Sequence, residues 1–414
     1  MPAVIYIFSL CTFTFGLSEF VVAGLVSAIS MDLHESIAHV GSTIAAYALG
    51  AAIGAPLLTA MLATWRDKSV LLLTLAVLAV GSVAISLAPN IVTLYGVRFI
   101  IGLAHGVFMA VASNAAVKLV DPMRAGRALS LVWMGLTLSI AFGVPIGTFF
   151  GSYWSWRVVF LAIGGLGLIS TIGLVLLMRL QPAPQPHERQ GIKQGLTALF
   201  HRELLMAATI AMLVSVATFS FFTFVSPFLL DITRIQPQVL SFAMLLFGVC
   251  SILGNLLGGH LVDAFDVDRC LLGGLTALML NLLGLYLWGD SKIVTLTLVG
   301  LLGVVFFAIV TMSTLRLLRL ANQYIPQSSA VASGLNIASF NLGTALSGIG
   351  AGWVITHVGL AYIPIAGAGA ALVAIAMLGL QMRTGRGVEA ALPISISTPR
   401  ACAETKQRLP DETL

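Results

Sequence analysis

Apolar and polar positions are segregated along this chain into long blocks. Apolar runs lie near 3–30, 40–63, 69–89, 92–117, 128–151, 158–178, 204–230, 239–262, 270–289, 293–315, 328–353 and 359–382, with short polar breaks between them. A bilayer core takes about 20 apolar residues as helix, so each run can cross it once and twelve transmembrane helices are predicted. The first run opens directly after Pro2 with no basic stretch ahead of it and is too long for a signal peptide; it is read as a retained span. The longest break, from about Arg179 to Glu203, carries Pro182, Pro184 and Pro186 and divides six spans from six. The expected organisation is an N-terminal six-helix bundle (1–180), a cytoplasmic linker (181–203), a C-terminal six-helix bundle (204–382) and a disordered cytoplasmic tail (383–414).

Composition removes the soluble alternatives. Of the 414 residues, 58% are hydrophobic and 9% charged, where soluble domains carry roughly 25% charged residues. The four cysteines, Cys11, Cys250, Cys270 and Cys402, are too dispersed for a zinc or disulfide framework. A formal net charge of +5 invites a nucleic-acid partner until the charges are placed. Lys and Arg stay on the cytoplasmic side of a membrane. With the N-terminus inside, 17 of the 21 basic residues fall in inside loops and tail, against three (Arg157, Arg234 and Lys292) outside. Both termini are therefore expected in the cytoplasm, and no nucleic-acid partner is expected. Arg98 falls in neither class.

The halves repeat each other. At an offset of 200 residues, without gaps, Gly54–Leu72 (GAPLLTAMLATWRDKSVLL) aligns with Gly254–Leu272 (GNLLGGHLVDAFDVDRCLL), and Ser139, Gly143, Gly147 and Gly151 fall on Ser339, Gly343, Ser347 and Ala351. Two parallel six-span repeats predict an all-α polytopic membrane protein, two pseudo-symmetric six-helix bundles with a site at their interface.

Glu19 is the one carboxylate placed inside a run, about 16 Å from the outer end of the first helix. An ionisable group there costs on the order of 2.5–3.5 kcal/mol on insertion scales, so it needs a partner or a task. Arg98, about 10 Å below the outer end of the fourth helix, is the expected partner. His105 lies two turns deeper along nearly the same face, and its imidazole ordinarily titrates near neutrality. The three form a candidate proton-coupling set in which Glu19 carries the proton and His105 tunes or relays. The bland readings are a permanently paired Glu19, an Arg98 clamped on backbone carbonyls and a His105 that only packs. At the 200-residue offset Glu19 meets Phe219 and Arg98 meets Leu298, so this chemistry is confined to the first half.

The second half is aromatic instead. The seventh run carries Phe219, Phe221, Phe222 and Phe224, which cover more than one helical face, so part of the set is expected to face lipid or neighbouring helices. Polar side chains inside the runs are few, chiefly Asn114, Asn255, Asn281, Asn336 and Asn341, with no Gln and no Asp. Phe15, Met109, Phe219, Phe222, Phe307, Asn336 and Asn341 are the candidate lining of a substrate cavity. Each unpaired ligand hydroxyl loses affinity, so this sparse set favours a modestly polar or amphiphilic substrate over a dedicated sugar. There is no Walker or dinucleotide fingerprint, and His34 and His39 lack the company of a metal site. No catalytic residue, metal or cofactor is expected, and the chain is not read as an enzyme.

Four segments, FGLSEFVVAGLV, RFIIGLAHGVFMAV, GLTLSIAFGVPIGTFFGSYWSWR and SGLNIASFNLGTALSGIGAGW, together resemble the major facilitator superfamily, and within it the twelve-span drug:proton antiporters of the sugar-efflux and chloramphenicol-resistance type. The resemblance covers roughly residues 1–385 and implies the major facilitator fold. It makes Gly143, Pro145 and Gly147 the antiporter-motif helix. It also makes Arg66, Asp67, Asp263 and Arg269 cytoplasmic gate loops, although the acidic position of the first loop is Ala63 here. The function implied is a proton-coupled exporter in a bacterial inner membrane, a monomer whose partners are its small-molecule substrate, protons and lipid, driven by the proton gradient. Uptake by symport or uniport, or a sensor that does not transport, are the alternatives.

Overall fold

The polar breaks start helices by capping them. Ser36, Asn90, Ser155 and Asp266 each accept a hydrogen bond from a backbone N–H in the first turn of the helix that follows, which satisfies donors the helix cannot pair internally. A computed structural model describes residues 1–62, 64–121, 124–178, 201–324 and 329–383; the expected linker, tail and Ala63 lie outside the described residues apart from a few terminal positions. The helices are α1 (Ala3–Leu33), α2 (Ile37–Ile53, continued to Met61), α3 (Asp67–Ser86), α4 (Ile91–Lys118), α5 (Ala125–Leu138 and Val144–Tyr153) and α6 (Trp156–Leu177). After the break come α7 (Arg202–Phe222, continued to Ile232), α8 (Pro237–Ala264), α9 (Val267–Leu287), α10 (Lys292–Tyr324), α11 (Ser329–His357) and α12 (Ile363–Arg383). Among the described residues eleven helices are long and apolar enough to cross a membrane, and α11 coincides with the remaining predicted run.

Three of these helices loosen into a π turn beside a proline. The turns are Gly54–Leu58 around Pro56, Ser139–Gly143 ahead of Pro145, and Phe228–Ile232 after Pro227. Proline has no N–H and crowds the carbonyl four residues back, so the ladder widens locally rather than breaking.

Pairing between helices repeats with a shift of six. In the first half α1 packs on α5 and α6, α2 on α4, and α3 on α4 and α6; in the second, α7 packs on α11 and α12, α8 on α10, and α9 on α10 and α12. The halves meet along α2–α11 and α5–α8, a pair of crossings that the same shift exchanges. Gly248 of α8 rests on the backbone of Ile140 and Ala141, and Gly348 of α11 lies against Ala45. Lipid offers no hydrophobic drive for helix association, so such small residues let dispersion act at close range. On the face opposite the N-terminus the halves also meet through Phe224, packed on Gly41, and a 3.2 Å hydrogen bond from Ser226 Oγ to Ser27 Oγ.

Candidate functional site

Glu19 and Arg98 are brought together by the crossing of α1, α2 and α4. Arg98 is fully buried. Its Nε donates to the Thr43 carbonyl at 2.9 Å, Nη1 to the Ser18 carbonyl at 3.1 Å and Nη2 to the Glu19 carbonyl at 3.3 Å. Its guanidinium carbon lies 5.0 Å from the centroid of the Tyr47 ring, and the Tyr47 hydroxyl donates to the Phe15 carbonyl at 3.3 Å. Arg98 therefore reaches the main chain of Glu19 rather than its carboxylate, the clamp that the sequence left open as an alternative. A planar fork of donors suits this, because carbonyls of two neighbouring helices sit at different angles around it.

The carboxylate lies instead beside His105, two turns further along α4. Glu19 Oε2 lies 3.4 Å from His105 Nδ1, and both side chains are buried. The imidazole stacks on Phe15 with centroids 5.0 Å apart and planes 7° apart, and meets Tyr47 at 5.7 Å. Both ring nitrogens are buried, and neither makes a hydrogen bond. The pair can share one proton: a neutral carboxyl donates to the imidazole nitrogen, or an imidazolium donates to the carboxylate.

Beside Glu19, Phe20 stacks on Phe219 of α7 across the two halves at 6.0 Å. Phe219 meets Phe222 and Phe306 edge-on at 5.8 and 5.5 Å, and Phe222 meets Phe247 at 4.3 Å. Phe306 continues the set to Phe307 and Phe340, and Phe247 also meets Phe307. Five elements thus build one aromatic wall. Phe219, Phe222 and Phe307 were expected there, while Phe20, Phe247 and Phe340 were missed because isolated phenylalanines on separate helices carry no local pattern. None of Phe219, Phe221, Phe222 and Phe224 faces lipid; all are buried. The helical backbone of α7 gives way at Phe224 (φ −112°, ψ 22°).

The remaining candidates divide. Phe15 and Met109 are buried on α1 and α4. Asn336 is buried and donates to Thr314 Oγ1 of α10 at 2.8 Å, and half-buried Asn341 donates to the Ile337 carbonyl at 2.9 Å. Gly143, Gly147 and Gly151 receive Leu17, Val21 and Leu25 of α1, and Pro145 is buried just past the π turn. Arg66, Asp263 and Arg269 are exposed, and Asp67 is half-buried. The neighbouring Lys68 instead ties α3 to the end of α6, through the Val175 carbonyl at 2.9 Å and that of Met178.

The expectation of no Asp and no Gln within the spans is overturned: Gln381 already lies within the run 359–382, and Asp268 opens α9. Asp268, in the first turn of α9, accepts from Arg316 Nε of α10 at 2.5 Å, and Arg316 Nη2 donates to Gln381 Oε1 of α12 at 2.9 Å. Asp268, Arg316 and Gln381 are all buried. Arg316, counted with an inside loop, lies within α10, which runs on past the predicted 293–315 to Tyr324. Such a pair was invisible in the apolar runs because Asp268 and Arg316 fall just outside the predicted 270–289 and 293–315, where charge is ordinarily solvated.

The sequence profile of the Major Facilitator Superfamily matches residues 8–322. The chain is 32% identical over 372 residues to the inner membrane transport protein YdhP of Escherichia coli O157:H7, covering 90% of this chain and 94% of that one. It is 30% identical over 368 residues to the chloramphenicol resistance protein of Streptomyces lividans, covering 85% and 92%. The crystal structure of a bacterial homologue of the human lysosomal transporter Spinster superposes with a TM-score of 0.72 at 14% identity, covering 94% of this chain and 98% of the other. The architecture of two six-helix halves and these similarities define a multi-pass membrane transport protein, not an enzyme. The chain belongs to the Major Facilitator Superfamily.

Proposed function

We propose that this protein exports a small, modestly polar or amphiphilic molecule from the bacterial cytoplasm in exchange for protons, by alternating access of its two halves. The observation that carries the reading is the buried Glu19–His105 pair at 3.4 Å, next to an aromatic wall that spans both halves. In this reading Glu19 is the proton carrier and His105 its relay. Arg98 is a positioning residue that holds the Ser18 and Glu19 carbonyls against α4, so that the carboxylate keeps its place. The face bearing the start of α1 is cytoplasmic, which agrees with Arg66, Lys68, Arg124 and Arg269 lying at the ends of helices on that side. An inside-negative potential adds about 2.3 kcal/mol per proton charge per 100 mV to the inward step.

Chloramphenicol, named for the Streptomyces relative, is the first substrate to try, followed by neutral amphiphiles and sugars. In everted vesicles energised by a pH gradient, substrate addition should release protons from the vesicle lumen with the parent protein. Glu19→Gln should abolish that release and the gradient-driven flux while the protein is still made and inserted. Proton-driven flux of parental size from Glu19→Gln, at every pH tried, would remove Glu19 from the mechanism.

A further inference from the structure

Tyr47 of α2 is fully buried within the first half, and Glu19, Arg98 and His105 are gathered around it. Its carbonyl rests on Gly102 of α4, where a Cβ would collide with it. Gly102 stands about one turn from Arg98 and one turn from His105, so this close approach puts Tyr47 at the height of both. The Arg98 guanidinium carbon lies 5.0 Å from the centroid of the ring, and the imidazole of His105 lies 5.7 Å from it. The hydroxyl reaches α1, where it donates to the Phe15 carbonyl at 3.3 Å.

That carbonyl belongs to the turn on which Glu19 stands. In α1 it lies four residues before the Glu19 N–H, its partner in the helical ladder, and the Phe15 ring is stacked on His105. Phe15 thus leads to Glu19 through its main chain and to His105 through its side chain. At 3.4 Å, Glu19 Oε2 and His105 Nδ1 stand just beyond ordinary hydrogen-bond length, so a small displacement of this turn decides whether they share a proton. The second half has the ring without the hydroxyl. The 200-residue offset puts Phe247 at the place of Tyr47, and the Phe247 carbonyl rests on Gly303 as that of Tyr47 rests on Gly102. Counted from Gly303, Val299 and Phe306 stand where Arg98 and His105 stand. The hydroxyl therefore occurs in the half that has the carboxylate.

We infer that Tyr47 is a positioning residue of the proton site: its hydroxyl fixes the α1 turn at Phe15, and with it the separation of Glu19 from His105, and so sets the pH at which the pair takes up and releases its proton. This inference rests on the reading of Glu19 and His105 as the proton-coupling pair. Arg98 and Tyr47 face the pair from α4 and α2. Away from helix ends, the remaining titratable side chains on α1 to α8 are Cys11, about two turns from Glu19, and half-buried Cys250 of α8.

The test reads the pair directly, by infrared pH titration of the full-length protein in lipid nanodiscs with no substrate present. The carboxyl and imidazole bands of the pair are those that titrate in the parent and are lost in Glu19→Gln or His105→Gln. Tyr47→Phe keeps the ring beside Arg98 and removes the donor, and should move their midpoint by at least about half a pH unit, the worth of one hydrogen bond. Para-fluorophenylalanine at position 47 also lacks the donor and serves if Tyr47→Phe inserts poorly. Para-aminophenylalanine there, which restores a donor, should return the midpoint to its parental value. Tyr95→Phe, which removes a hydroxyl bonded to the His39 carbonyl, should leave the midpoint in place. A smaller shift in both donor-less variants, or an equal shift with para-aminophenylalanine or Tyr95→Phe, would overturn the role of Tyr47 and leave the pair standing. If no titrating band is lost in Glu19→Gln, the pair itself falls, and the role of Tyr47 with it.

Discussion

Arg316 has its Nη1 buried without a partner while Nε and Nη2 are bonded. A buried ion pair gains little over apolar side chains of similar size, yet removal of one partner leaves an uncompensated charge and costs about 3–5 kcal/mol. Arg316→Met should therefore lower the thermal midpoint of the purified protein severely, and Arg316→Met combined with Asp268→Leu should recover much of the loss. A double variant no more stable than the single would show that the pair is not what holds α9 and α10 together. Arg98 differs in kind: its donors meet carbonyls on two helices, so it fixes main chain rather than balancing a carboxylate. Its position in a span was evident from the sequence. Its partners were not, since a carbonyl is present at every residue and carries no sequence signal.

At the scale of the element, α1 and α5 interlock through glycines on both sides. Gly16 and Gly24 of α1 face Ser139 and Thr148, while Gly135, Gly143, Gly147 and Gly151 of α5 face Ser9, Leu17, Val21 and Leu25. A Cβ at Gly135 would fall on the Ser9 carbonyl, which is main chain and cannot swing aside; at Gly143 it would come 3.1 Å from the ends of the Leu17 and Phe13 side chains, which can. Gly135→Ala should then cost about 1–3 kcal/mol and Gly143→Ala less, read as the order of their thermal midpoints. Reversal of that order would mean that the crossing relaxes as a whole. Gly143, Gly147 and Gly151 stand four residues apart in the sequence and so share one face of a helix. Which glycine is intolerant depends on whether backbone or side chain stands opposite.

For the whole molecule, the contacts of Phe224 with Gly41 and of Ser27 with Ser226 close the face opposite the N-terminus. If the halves rock, these contacts must part. Gly41→Val would place methyl groups where the Phe224 ring now sits. It should favour the state open on that face, so a Ser27→Cys reporter should react faster with a membrane-impermeant maleimide applied there, and flux should fall. Labelling unchanged by Gly41→Val would show that this seam is not a gate.

Taken by itself, the sequence determined the medium, the helices and the repeat. Whether a stretch enters lipid depends on the summed transfer cost of about 20 neighbouring residues, which is local information, and Glu19, Arg98 and His105 stood out because charge inside such a stretch is costly. Only the tertiary structure decided the pairings: Glu19 with His105 instead of Arg98, Asp268 with Arg316, and the rings of Phe20, Phe247 and Phe340 in one wall with Phe219 and Phe307. Those contacts join residues on different helices, and which faces meet is set by how small residues let the backbones cross, a property of the assembled bundle.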